Sequence, residues 1–165
     1  MELLKYDNTW KQFYEIEKSH LLKALSGQKI CGIEHIGATS VSSCMTAGTI
    51  DLLLSIQNSI DFFTIKNILR RKGYQCIEEK SDSVNVIFLV RRNAKRNIVA
   101  TIRLVENGSI LHQQILSFKF YLQEDQLHIK EYNDFRAELI KKYGDSIAKY
   151  QEEKSAYIES IINKL

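Results

Sequence analysis

The sequence predicts an α+β domain: a mixed α/β sheet of four or five strands, one helix before it and a helical C-terminal third. Three observations carry this. Apolar side chains recur at helical spacing from about Asn8 to Leu25, and again over most of the chain after Ser109. Between these stretches, short runs rich in Ile, Val and Leu are separated by Gly, Asn and Ser turns. One run, Thr49–Ile56, is apolar nearly throughout, as expected of a strand buried on both faces.

Each element follows in order. Trp10, Phe13, Ile16, Leu21 and Leu25 define the first helix, with Asn8 or Thr9 to cap it and Gly27 to end it. Lys29–Ile36 is rich in Ile and reads as a strand. Gly37–Gly48 is small and polar, a loop with room for one helical turn. Ser59–Lys72 is helical, with Ile60, Phe63, Ile65 and Ile68 along it and Gly73 as C-cap. Strands are expected at Tyr74–Glu78, Val84–Arg91 and Asn97–Val105, the last two joined as a hairpin around Asn93. The run ENGS at Glu106–Ser109 is a turn signal. Helices follow at Ile110–Leu122, about Ile129–Tyr143 and about Ser146–Lys164, broken near Gly144.

At 165 residues, with no repeat or linker, the chain reads as one domain, 1–165. Hydrophobic residues at 44% and charged residues at 26% argue against disorder. The net charge of +3 suits a nucleotide or another anionic small molecule but falls short of the density that marks a nucleic-acid binder. Cys31, Cys44 and Cys76 form no CxxC pair and read as reduced thiols. No apolar run approaches bilayer-spanning length, so the expectation is a cytoplasmic protein without a membrane partner. Proline is absent, which leaves every turn to Gly, Asn, Asp and Ser.

Chemistry concentrates in IEHIGATSVSSCMTAGTIDLLLSI, Ile33–Ile56. A strand ending in a Gly and small-hydroxyl turn leaves backbone N–H groups that favour an anion, and Gly37, Thr39 and Ser40 fit a phosphate cradle. A plain turn is the alternative. Asp51 lies inside an apolar strand, where an ionised carboxylate must be paired or bound to a metal. Alternation puts Asp51, Leu53 and Ser55 on one face, so a second strand carboxylate is missing at Leu53. Asp51 is thus a candidate catalytic and metal-binding residue. The alternative is a turn cap or a partner for Lys or Arg. His35, beside the Gly37 loop, is a candidate to hydrogen-bond phosphate or orient Asp51, or else a satisfied structural histidine. His20, His112 and His128 lack metal-ligand spacing.

The stretch resembles the signature of the GrpB family, which belongs to the nucleotidyltransferase superfamily by fold. Glu34, His35, Ile36, Gly37, Thr39, Ser40 and Val41 match its E-H-I-G-S-T-S-V-P-G-L pattern, and Ile50 and Asp51 match the following strand. Tyr6, Asp7, Trp10, Phe13 and Glu17 are similar to the family's opening. Val105–Ser109 resembles the turn before its helical part, continued by Phe118, Tyr121 and Leu122, and Tyr150, Lys154 and Ile158 suit its closing helix. The resemblance implies a nucleotidyltransferase-like sheet with Gly37, Thr39 and Ser40 on the phosphate side and Asp51 holding Mg²⁺.

The departures fall on polar positions. Ala38 replaces the serine after glycine, Ser42–Ser43 replaces Pro-Gly, and Ala47–Gly48 replaces Lys-Pro. The family's H-x-H falls at Thr101 and Arg103, and its Arg-Asp at Lys119 and Phe120. Arg103 would restore positive charge near the phosphate. The expectation is therefore a divergent GrpB-like protein binding a nucleotide or other phosphate ligand, with Mg-dependent nucleotidyl transfer weakened or lost. The alternative is a non-catalytic protein-interaction or nucleic-acid-binding module. RRNAKR at Arg91–Arg96 suggests the latter, but a solvated hairpin tip without interleaved aromatics explains it better. A helix with an uncovered apolar stripe would also permit a homo-oligomer.

Overall fold

The computed structural model describes residues 2–80 and 85–165. Its elements are α1 (Thr9–Ala24), β1 (Ile30–Ile36), β2 (Ile50–Ile56), α2 (Phe62–Arg71), β3 (Tyr74–Lys80), β4 (Val86–Arg92), β5 (Ile98–Glu106), α3 (Ile110–Glu124), α4 (Gln126–Tyr143) and α5 (Ile147–Ile162). Single 3-10 turns lie at Ala38–Ser40 and Ser59–Asp61. The sheet has five strands in the order β1-β2-β5-β4-β3. Only β2 and β5 run parallel; the other neighbours are antiparallel. No helix is long and apolar enough to cross a membrane among the described residues.

The two faces of β2 explain the layering. Ile50, Leu52, Leu54 and Ile56 join the main core with Leu21 and Leu25 of α1 and Ile65 and Leu69 of α2. On the opposite face, Leu53 packs with Ile36, Val105 and the α3 residues Leu111, Ile115 and Leu116. A third cluster, Val41, Cys44, Leu122, Ile129 and Tyr132, fastens the loop after β1 to α3 and α4. Removing this much apolar surface from water is the main force holding helices to both sides of the sheet.

Boundaries differ from expectation where side chains cap the backbone. The helix expected from Ser59 starts as a 3-10 turn, because the Asn58 side chain accepts the Ile60 N–H at 3.0 Å. The helix expected near Ile129 begins at Gln126, where Asp125 accepts the Leu127 N–H at 2.9 Å. Gly73 stands one residue beyond the cap of α2, Lys72, with φ +87. Val84, the expected start of a strand, lies outside the described residues.

Two non-glycine residues have left-handed backbone, Ser43 (φ 68) and Arg96 (φ 64). Ser43 occupies the position where the resembling pattern has glycine. A side chain there costs about 1–2 kcal/mol of backbone strain, offset in part by a less disordered unfolded chain. Ser43→Gly is expected to raise stability by about 0.5–1 kcal/mol, seen as a higher urea midpoint at unchanged m-value. An unchanged or lower midpoint would show that the loop carries no strain.

Candidate functional site

The turn after β1 is held from several sides. Gly37 has φ 70, and a Cβ built there would lie 2.3 Å from Oδ2 of Asp51. No other residue type fits, because the backbone passes directly against the carboxylate. Thr39, buried, donates its hydroxyl proton to the Thr49 carbonyl at 3.1 Å. That proton being used, Thr39 Oγ1 accepts from His35 Nε2 at 2.9 Å, which assigns His35 the Nε2–H tautomer. Ser40 donates to the Gly37 carbonyl at 2.7 Å. Both hydroxyls of the expected cradle are thus engaged in shaping the turn.

His35 and Asp51 stand on opposite faces of the sheet. Ile36 is the register partner of Asp51, and His35 is the partner of Leu52, so His35 points toward α1. There it stacks on Tyr14, ring centroids 4.5 Å apart, while the Tyr14 hydroxyl donates to the Ile33 carbonyl at 2.8 Å. Burial, with a smaller contribution from the Lys119 charge, lowers the imidazole to about 4. The geometry makes His35 a neutral positioning residue for the turn. The expectation that it orients Asp51 is corrected: the alternation of a strand keeps the two side chains apart.

Asp51 sits where β2 meets β5. Thr101, its parallel register partner, donates a hydroxyl hydrogen bond to Oδ1 at 2.7 Å. Burial raises the carboxyl above the ordinary carboxylate range, opposed by the Thr101 bond and by the charges of Lys154, Arg103 and Arg136, in that order. Arg103, two positions along β5 on the same face, is exposed and lies over Phe88 at 5.4 Å. Arg136 of α4 is 4% exposed and donates to the Tyr150 hydroxyl at 3.2 Å and to the Met45 carbonyl. Lys154, one turn beyond Tyr150 on α5, lies over the Tyr150 ring at 5.9 Å. Burial brings its ammonium down to about 8, opposed by Asp51, with Arg136 and Arg103 adding to the fall.

Asn133 completes the enclosure. Its Oδ1 accepts the Met45 N–H at 2.9 Å and its Nδ2 donates to the Ser43 carbonyl at 3.2 Å. With Arg136 on Met45, α4 grips three consecutive links of the loop between β1 and β2. Of the expected site residues, Gly37, Asp51 and Arg103 gather at one place, Thr39 and Ser40 form the turn above them, and His35 stands behind the sheet. Thr101 was marked only as a lost histidine, and Arg136 and Lys154 only as helix residues, yet all three surround the carboxylate. The largest groove is elsewhere, about 690 Å³ on the α1 side, lined by Trp10, Phe13, Ile16, Lys23, Lys72 and Arg91.

A divalent cation fits this donor set poorly. Magnesium favours several oxygen donors, usually including carboxylates. Asp51 is a single carboxylate with one oxygen already bonded to Thr101 and three cationic side chains around it. Among the described residues no group of three or more His, Cys, Asp or Glu could hold a metal ion.

The family model for GrpB protein matches residues 1–164. The chain belongs to the GrpB family. It is 25% identical over 166 residues to the glutamate-rich protein GrpB of Alkalihalophilus pseudofirmus, covering 99% of this chain and 94% of the relative. It is also 25% identical to the YqkA protein of Bacillus subtilis, of whose length it spans 46%. Among solved structures, conserved protein GrpB from Enterococcus faecalis superposes with a TM-score of 0.84 at 24% identity, covering 99% of this chain and 96% of that one. The RNA terminal uridylyl transferase Cid1 superposes with a TM-score of 0.58 at 10% identity, covering 84% of this chain and 42% of that one. The GrpB chain therefore has a nucleotidyltransferase-like fold.

Two measurements check this geometry. Gly37→Ala is expected to lose about 3 kcal/mol or more, from the collision with Asp51 and the positive φ. Adding Asp51→Ala should recover part of that loss, so a double-mutant cycle with no coupling would disprove the close approach. The second is linkage at His35. Its folded value is depressed below the unfolded one, so its contribution is complete above about 6.5 and is lost as pH falls through about 4. Relative to His35→Gln, the native protein should lose roughly 3 kcal/mol between pH 7 and pH 4, measured by denaturant titration at each pH. Parallel pH profiles would contradict a buried neutral imidazole.

Proposed function

We propose that this GrpB protein binds a nucleotide or another phosphate ligand beside the Gly37–Ser40 turn, with Mg-dependent nucleotidyl transfer weakened or lost. One observation carries the reading. Asp51 is outnumbered by the cationic groups that act on it, Lys154, Arg103 and Arg136. A partly buried surplus of positive charge favours an anion, and guanidinium groups match phosphate oxygens in geometry. The fold adds support, since Cid1 with the same architecture has been solved with MgGTP bound. Transfer is weakened in this proposal because two-metal chemistry needs paired strand carboxylates, and the position that alternation offers is Leu53. A second reading, a protein-interaction module, is favoured by the exposure of Phe13 (50%) and Ile16 (53%) along the groove of α1.

Calorimetric titration with ATP, GTP, CTP and UTP, with and without Mg²⁺, tests the proposal. At least one nucleotide should bind, and Arg103→Ala should weaken it by roughly ten-fold, as expected for a charge-assisted contact. No heat with any nucleotide at millimolar ligand would remove the phosphate reading and leave the interaction module. Pyrophosphate release from a nucleotide that Asp51→Ala abolishes would show that transfer persists.

A further inference from the structure

Buried charge in this protein is handled in two contrasting ways. On the α1 side, Glu17 is matched closely: Tyr74 donates to its Oε1 at 2.5 Å, and Arg91 donates to Oε1 at 3.2 Å and to Oε2 at 2.5 Å. One acid meets one base with a neutral hydroxyl between them, and charge is balanced. The Asp51 cluster is not balanced. Thr101 supplies a neutral donor, while α4 and α5 each bring one cation and β5 brings a third. Arg136 directs its guanidinium to neutral acceptors, the Met45 carbonyl and the Tyr150 hydroxyl.

We propose that Lys154 is the built-in counter-cation of Asp51, and that Lys154, Arg103 and Arg136 together make this a metal-independent site for a phosphoanhydride or phosphate monoester. The inference rests on the phosphate reading above and goes beyond it by assigning the charge balance. In a metal site the carboxylate attracts a divalent ion, and that ion attracts the phosphate. Here the carboxylate holds an ammonium in place, and the surplus cations meet the phosphate directly. Asp51 therefore has an inverted role. It is a positioning residue that restrains Lys154, and its charge repels the ligand instead of recruiting it.

The placement of Lys154 supports this assignment. It projects from α5 beside Tyr150, whose hydroxyl is bonded to Arg136, so the two cations are mounted on one aromatic support. The tyrosine itself is 2% exposed. A lysine whose stem is packed and whose ammonium lies within the field of a dehydrated carboxylate is pre-organised, and little entropy is lost when an anion arrives.

The test uses the full chain and two probes, inorganic pyrophosphate and ATP, titrated calorimetrically in EDTA and again in excess Mg²⁺. Binding in EDTA should equal or exceed binding in Mg²⁺, because magnesium neutralises the probe. Lys154→Met should weaken pyrophosphate at least ten-fold in EDTA. Asp51→Asn should keep or tighten it, whereas a carboxylate acting through a metal would lose binding on the same change. Circular dichroism of each variant separates misfolding from loss of charge. Should Lys154→Met fail to fold, Asp51→Asn decides alone. Binding that appears only with Mg²⁺, or that vanishes in Asp51→Asn, would overturn the inference while leaving the phosphate reading intact. No binding of either probe in either buffer would overturn both.

Discussion

The backbone of Gly37 lies so close to the Asp51 carboxylate that a single added carbon would stand 2.3 Å from Oδ2. Much of the architecture around the site follows from that approach. A carboxylate pressed between a turn and a neighbouring strand loses water on two sides, and dehydration makes its charge expensive unless other groups answer it. Thr101 answers with one hydrogen bond from β5. The remaining compensation comes from helices formed by the last third of the chain, through Arg136 and Lys154. Electrostatics thus joins the sheet to the C-terminal helices at a point where apolar packing alone would be indifferent to sequence.

The loop between β1 and β2 is ordered without proline. A hydrogen-bond relay from His35 through Thr39 to the Thr49 carbonyl closes one end. Asn133 and Arg136 hold the other by its main-chain groups at Ser43 and Met45. Pro would stiffen such a segment locally through its fixed φ. Here stiffness is imported from a distant helix, so the loop's shape depends on α4 being docked.

The scaffold was legible because it is written in local patterns. An apolar strand such as Ile50–Ile56, or Leu21 and Leu25 on a helical stripe, declares its burial through its neighbours in sequence. Asp51, Gly37 and Arg103 were legible through the resemblance to the GrpB signature, and Asp51 also because a charge in an apolar run demands an explanation. The rest was hidden for two reasons. His35 is close to the turn in sequence, but strand alternation turns it to the far face, a fact that emerges only with the register Ile36 to Asp51. Arg136 and Lys154 lie on helices where polar residues are ordinary, and nothing local distinguishes a lysine that faces a carboxylate from one that faces water. Helix limits were missed where Asn58 and Asp125 act as caps, since capping is decided by side-chain geometry at a single position.

The parallel pairing of β2 with β5 has a consequence for the chain as it is made. Asp51 finds its neighbour Thr101 fifty positions later, with β3 and β4 between them. Until β5 is synthesised, β2 is an apolar strand with one unpaired edge, the kind of segment that adheres to other chains. Its single carboxylate is then still hydrated, and a hydrated charge within such a strand resists premature association. The residue that the finished protein must neutralise at some expense is therefore the residue that keeps the nascent strand from aggregating.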